Sequence, residues 1–574
     1  MAPINVSDLI AKILKEEGVE WWAGVHGGHV WQLLMSVSAQ NIKLYHVRHE
    51  QCGAFMADGW GRVTRKPGVC FGTAGPGVSN MVTGVYMGYL AKSPMICLFG
   101  QHGTAEDAWT PFQEAYADKL FPSFTKWTRR MVDAGMVGYF MQKAFRDALS
   151  YPNGPVGIEI PTNILGAPAG DYPGNVRGYL PHGRSAFPAP PAGDPTIVEK
   201  AVRMLIDAKH PVVIGGDGIY WSDGSKELQE FIELINSPVH TRRAGRGAVP
   251  ESHPLSFSGG YRGPILNQAD IVCILGLRMS MLEHFGMPPT YPAQNVRYIQ
   301  VSEDPEELTT RLPTEVSIYG SPKTVLQQMT QVAKEILKGK KPDRSEWISF
   351  IQNLKAKDAA ETKEAVDKAK ESKLVHPDYL AAEILNTMDK DATVILDSFS
   401  MAGFITDKFQ ANFASQMLDS ATWGGVGQGV GIGMGAHLGR PGKQVIVLLG
   451  DGGLGIAGWD IETAARYNIP VCYILFNNSS WISNLGQQLI MPDVVARGDS
   501  WGISKDIRYD KIFAEMGCHT EYVTEPQQIA PALKRALSSG KASVINVIPD
   551  NNVIPPQLVG RIKYYQAQFA AKKS

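Results

Sequence analysis

Net charge and cysteine are the two things this chain has least of. Across 574 residues, 55 Lys and Arg stand against 56 Asp and Glu, a formal net charge of -1. Proteins that hold nucleic acid or an anionic membrane by broad electrostatics carry a basic face, so the balance argues against both partners and for small substrates. Six cysteines (Cys52, Cys70, Cys97, Cys273, Cys472, Cys518) lie scattered, several inside apolar runs, with no Cys-x-x-Cys pair. Neither a disulfide frame nor a thiolate zinc site is expected, and reduced core thiols suit a cytoplasmic protein. No stretch reaches the roughly 18 uninterrupted apolar residues of a membrane span. Met1 to Lys15 is mixed in charge and lacks the basic start and apolar core of a targeting segment, so none is expected. What the chain has is length and apolar content: 44% hydrophobic and 19% charged residues suit a globular protein of several domains.

Residues 1–182 alternate short apolar runs with helical periods. Gly68–Phe71, Met95–Phe99 and Val156–Ile160 read as strands, and Asn80 to Leu90 as a helix. That is the βα alternation of a parallel sheet. From Leu180 to Pro195 the chain carries five prolines and two glycines, which continue neither element, so 183–195 reads as a linker. A second α/β unit is expected over 196–338, with strands at Pro211–Gly215, Ile271–Gly276 and Arg297–Val301. The charged span 339–375 reads as a solvated linker containing helix. A third unit over 376–552 opens with a helix through Leu380 to Met388 and a strand at Thr393–Leu396, and 553–574 reads as a mobile arm. The first and third units share length and alternation, which suggests a duplicated architecture around a middle insertion: three parallel-sheet α/β domains.

The third unit carries the most informative motif. Gly450-Asp451-Gly452-Gly453 ends the apolar run Val445–Leu449, and Asn477-Asn478-Ser479-Ser480 ends a second run, Val471–Phe476. With 27 positions between Asp451 and Asn478 and a strand, helix, strand pattern across them, two strand ends meet at one place. A carboxylate, an amide oxygen and a backbone carbonyl near Ser480 make a hard-oxygen set suited to Mg²⁺ with a diphosphate. A helix expected after Gly453, running to Tyr467, adds its N-terminal dipole.

In the first unit, His46-Val47-Arg48-His49-Glu50 places Glu50 at a strand end, either as an acid opening the helix from Gln51 or as a site carboxyl. Gly24-Val25-His26-Gly27-Gly28-His29 follows Trp21-Trp22-Ala23, setting two imidazoles on a glycine-rich loop. Acid/base work, metal ligation and a structural role are all open to that pair by residue type alone, with no third ligand nearby in sequence to favour metal.

The spacing of Asp451 and Asn478 resembles the signature of thiamine-diphosphate-dependent enzymes, and the chain is similar within that family to benzaldehyde lyases through His26 and His29, Arg48-His49-Glu50, Phe112-Gln113, Asn477 to Trp481 and Ile554-Pro555-Pro556. The resemblance implies thiamine diphosphate and Mg²⁺ as cofactors, with Asp451, Asn478 and Ser480 on the metal. It implies Thr73, Asn80, Asp397, Gln428, Gly450, Gly452 and Gly453 around the cofactor. Glu50 would favour the imino tautomer of the pyrimidine, a task helped when an apolar pocket raises a carboxyl's pKa. His29 would exchange the substrate hydroxyl proton, His26 orient it, Gln113 bond the adduct, and Trp481 and Ser483 line the pocket. The implied substrate is a small aldehyde or 2-hydroxy ketone, and the implied assembly a homodimer at least, with a homotetramer expected.

The chain departs from that likeness at two places. Gln428 stands where the family places an apolar wedge, and Ile482-Ser483 follow Trp481 where smaller residues are expected. Gly276-Leu277-Arg278, His284-Phe285-Gly286 and Glu462 to Asn468 also resemble 2-hydroxyacyl-CoA lyases and oxalyl-CoA decarboxylase, with Arg278 available to a phosphate. A flavin-bearing enzyme like acetolactate synthase is a further alternative. Gly215-Gly216-Asp217-Gly218 lacks the Gly-x-Gly-x-x-Gly register of a dinucleotide site.

Overall fold

The computed structural model describes residues 4–170, 188–291, 296–308, 311–498, 501–505, 507–555, 558–560, 562, 563 and 566. The boundary at 182, the first part of the linker, Pro556 and most of the C-terminal arm lie outside the described residues.

Three parallel sheets account for the chain. The first holds β1 (Trp21–Gly24), β2 (Lys43–His46), β3 (Gly68–Gly72), β4 (Met95–Gln101), β5 (Trp127–Arg130) and β6 (Pro155–Pro161) in the order β2-β1-β3-β4-β6-β5. The second holds β7 (Pro211–Gly215), β8 (Val239–Thr241), β9 (Ile271–Leu275), β10 (Arg297–Ser302) and β11 (Thr314–Tyr319) in the order β8-β7-β9-β10-β11. The third holds β12 (Thr393–Leu396), β13 (Met417–Leu418), β14 (Val445–Gly450), β15 (Val471–Phe476), β16 (His519–Val523) and β17 (Ser543–Val547) in the order β13-β12-β14-β15-β17-β16. Within each six-stranded sheet the order is second, first, third, fourth, sixth, fifth. The duplication suggested by sequence is therefore present as topology, although the residues differ.

Central strands such as β3, β4, β6 and β15 are buried along their whole length. Helices cover both faces of a parallel sheet, so its strands read as continuous apolar runs, which is why these were legible in the sequence. A short antiparallel pair, Ile4–Asn5 with Pro168–Gly170, ties the start of the first unit to its end.

The helix that follows β2 is α1 (Glu50–Thr64). The charged span becomes one long helix, α2 (Ser345–Lys370), in which Trp347, Ile351 and Ala369 are buried. Trp347 donates to the Pro211 carbonyl at 3.2 Å, so α2 docks its first turns on the second unit, while its last turn packs near the helix at Pro377–Thr387. In the third unit, α3 (Gln428–Gly439) follows β13 and packs along α1. Bare backbone permits the contact: a Cβ on Gly435 would lie 2.0 Å from the Met56 carbonyl oxygen, and one on Gly59 would lie 2.3 Å from that of Ile432. At the far end of α1 the Arg62 carbonyl accepts from Tyr220 of the second unit and Ser415 of the third, both at 2.6 Å.

The helix expected after Gly453 is a correction. α4 (Asp451–Ala457) starts at Asp451 itself, and the chain then passes through a 3₁₀ turn at Gly458–Asp460 into a short helix at Ile461–Arg466. Gly450 is extended at φ -92° and ψ 166°, so the chain turns into helix immediately at the strand end. Gly452 and Gly453 form the first helical turn, and no long helix aims its dipole from beyond them. Among the described residues no helix is long and apolar enough to cross a membrane.

Candidate functional site

The candidate residues lie at the carboxyl ends of strands or in the segments that follow them, where parallel sheets bind ligands. Two groups form, one on each six-stranded sheet.

On the third sheet, Asp451 follows β14 and is 1% exposed. Its Oδ1 accepts from the Gly452 N–H at 3.0 Å and its Oδ2 from the Ser480 N–H at 3.1 Å. Burial pushes its pKa up to about 6 against those hydrogen bonds. Asn478 follows β15, and one terminal atom of its amide faces Asp451 Oδ1 at 3.1 Å and the Ser480 carbonyl at 2.8 Å. With nitrogen there, the amide donates to both. With oxygen there, a carboxylate, an amide and a carbonyl oxygen converge on one point, which a hard divalent cation satisfies. The donor set thus fits Mg²⁺. Gly452 fits close packing too, since a Cβ there would stand 2.7 Å from the half-exposed Trp481 ring.

Asp397, after β12, is buried with its pKa pushed up to about 6 by desolvation. Its two oxygens accept from the Gly427 and Gly429 N–H groups at 2.9 and 3.0 Å, so it fastens the entry of α3. Gln428 opens that helix fully buried and donates to the Leu396 carbonyl at 2.8 Å, its Oε1 left without a partner. Ser483 is fully buried and its hydroxyl accepts from the Gly486 N–H at 3.2 Å as a helix cap.

On the first sheet, Glu50 is the first residue of α1 and is 7% exposed. Asn80 donates to its Oε2 at 3.0 Å. Asn80 closes the loop that follows β3, and Thr73 of the same loop lies 3.4 Å from His29 Nδ1. Burial lowers the pKa of His29, the facing His102 lowers it further, and Glu106 opposes them. Gln113 reaches the same place from the loop after β4: a Cβ on Gly75, itself at φ +62°, would lie 2.7 Å from Gln113 Cβ. Glu50, Asn80, Thr73, His29 and Gln113 are thus brought together. His26 turns elsewhere, its Nδ1 lying 2.7 Å from His46 Nε2. Burial, then His26 and Arg466, hold His46 below the ordinary imidazole range. Sequence reading gave no role to His46 or to His102; the one available signal was a histidine immediately at a strand's carboxyl end.

Among the described residues no three His, Cys, Asp or Glu side chains cluster as a metal site. The six cysteines are free, and all but Cys518 are buried.

Three family models match the chain. Residues 4–120 match that described as thiamine pyrophosphate enzyme, N-terminal TPP binding domain, residues 198–329 the central domain, and residues 400–547 the C-terminal TPP binding domain. Curated relatives include a probable acetolactate synthase of Mycobacterium bovis, 28% identical over 96% of this chain and 97% of its own length. Another is a probable acetolactate synthase large subunit of Methanococcus aeolicus, 27% identical over 96% and 94%. The 2-hydroxyacyl-CoA lyase 1 of Mus musculus is 25% identical over 95% and 94%.

Proposed function

This chain belongs to the thiamine pyrophosphate enzymes, and from that premise we propose that it is a carbon–carbon lyase and carboligase, cleaving 2-hydroxy ketones to aldehydes and joining aldehydes to acyloins. The observation that carries the reading is His29: a half-buried imidazole of lowered pKa, beside Thr73, in the group built around Glu50. Neutral near pH 7, it can take the proton of a substrate hydroxyl and return it.

Thiamine diphosphate, when bound, supplies a carbon nucleophile for the carbonyl carbon and a sink for the electron pair of the broken bond. Asp451, Asn478 and the Ser480 carbonyl would hold Mg²⁺ and through it the diphosphate. Glu50, fixed by Asn80, would hold a proton against the pyrimidine ring. Gln113 would bond the substrate oxygen, and Trp481 would wall the pocket while excluding water. His29→Ala is expected to lower turnover on the order of 10²-fold or more; an almost unchanged rate removes His29 from this role.

A second reading, 2-hydroxyacyl-CoA lyase, has one observation in its favour besides that relative. Between the first and second units lies a cavity of about 300 Å³ lined in part by Lys126, Arg243 and Arg278, cations a phosphorylated carrier could use. All three are engaged: Arg278 pairs with Glu306, Arg243 with Asp419, and Lys126 donates to the Ser150 carbonyl. Chromatography of products from protein supplied with thiamine diphosphate, Mg²⁺ and, separately, benzoin, acetoin, simple aldehydes, pyruvate and a 2-hydroxyacyl-CoA decides. Acyloin cleavage or formation without coenzyme A supports the proposal; activity on the thioester alone, or on pyruvate alone, replaces it.

A further inference from the structure

Beyond the residues given roles above, the end of β4 carries a polar network with a gap in it. Gly100 and His102 lie two positions apart and share one face of the strand end. A Cβ on Gly100 would stand 3.2 Å from His29 Cβ and 3.1 Å from its carbonyl oxygen, so His29 packs on the face from which His102 projects. His102 is 2% exposed, with Nε2 2.9 Å from Asp107 Oδ1. Asp107 in turn takes both ends of the Arg130 guanidinium, at 2.7 and 2.6 Å. That pairing holds the carboxyl at about 2, so it is an acceptor throughout the neutral range and keeps an imidazole proton on Nε2. Nδ1 of His102 is buried and has no partner. Buried polar atoms without partners are rare and costly, and this one lies behind the proposed proton-exchanging residue.

The network also shapes the loop. Arg130 Nε stands 3.6 Å from Glu159, and Glu159 accepts from Gln101 at 2.7 Å and from the Asp118 N–H at 3.0 Å. Glu106 accepts from the Gly103 N–H at 3.2 Å. These bonds bracket the residues from Gly103 to Tyr116, which carry Gln113. The groups facing His29 are Thr73, His102 and Glu106; those facing His102 are His29, Asp107 and, edge-on at 5.9 Å, the Tyr116 ring.

We propose that His102 is a positioning residue for His29: clamped by Asp107, it sets how readily His29 takes a proton and fixes the loop that presents Gln113. A charge on one of two facing imidazoles makes a proton on the other costlier. This rests on the reading of His29 as the residue that exchanges the substrate proton.

The test uses the full-length protein with ¹³C-labelled histidine, without substrate, the His29 signal being assigned by its loss in His29→Gln. In the unsubstituted protein the His29 midpoint is expected below 6.5. Replacing His102 removes a neighbour that lowers His29, so in His102→Asn the midpoint is expected to rise. The acid limb of kcat/KM should move up with it. A midpoint unmoved in His102→Asn overturns the proposal, even if turnover falls, because a merely structural role changes rate without moving that titration. Should His102→Asn fail to fold, His102→Gln carries the same expectation and the same refutation. A midpoint that rises in a protein that cleaves no acyloin leaves the coupling standing and sinks the functional reading instead.

Discussion

The first and third units are built on one plan and hold different chemistry. Both put a helix after their second strand, and both open that helix with a buried polar residue, Glu50 in one and Gln428 in the other. Glu50 keeps a carboxylate oxygen on Asn80, in the segment that follows β3. Gln428 turns inward to the Leu396 carbonyl and is fully buried. After the third strand the contrast reverses: the first unit has Thr73 in a glycine loop, the third has Asp451, Gly452 and Gly453 beside Asn478. A parallel sheet supplies equivalent positions at its carboxyl edge, and the two units place different residue types at them. The wedge position illustrates this, since Gln428 is satisfied on one side only, with Oε1 unpaired.

Breaking this comparison at its strongest point means Glu50→Gln, which keeps shape and the bond to Asn80 but removes the titratable group. Activity is expected to fall by about 10²- to 10⁴-fold with cofactor binding retained. Steady-state rates beside a thermal shift with thiamine diphosphate and Mg²⁺ check it, and persisting activity sinks the role. Asp451→Ala strikes the other half. The stabilisation given by thiamine diphosphate with Mg²⁺ should disappear while the protein without them stays folded; thermal melts read this directly, and an undiminished shift moves the metal elsewhere. Gly435→Ala tests what joins the two units, because a methyl 2.0 Å from a carbonyl oxygen forces α1 and α3 apart. A loss of about 3 kcal/mol is expected, at the upper end of overpacking costs, measured by denaturant unfolding. The smallest effect is expected from Gln428→Leu. It gives up one hydrogen bond worth about 1 kcal/mol but also removes an unpaired buried oxygen, so stability should change by less than that. A large loss of activity in this variant would make the two helix-opening residues functional equals.

Much of the fold was legible because buried parallel strands are apolar runs ended by a glycine or a polar residue. The strands at Gly68–Gly72, Pro211–Gly215, Thr393–Leu396 and Val471–Phe476 have the bounds their sequence suggests, within a residue. The start of α4 was misread because glycine usually disfavours helix, whereas Gly452 and Gly453 are held in the first turn by the close approach of Trp481 and Asp397. The meeting of Asp451, Asn478 and Ser480 was legible because Asp451 and Asn478 follow two recognisable strands. His102 was not, since a lone histidine after a strand says nothing until Asp107, five residues on, and Arg130, on a different strand, close around it.

By itself the sequence determined the three α/β units, the two strand ends that bear Asp451 and Asn478, and the helix-opening place of Glu50, because all of these follow from local alternation of apolar runs and turns. Only the tertiary structure decided which polar groups meet. His26 pairs with His46 and not with His29, Gln428 faces inward, and His102 meets Asp107, because strand order brings distant loops to one sheet edge and burial then fixes each hydrogen bond.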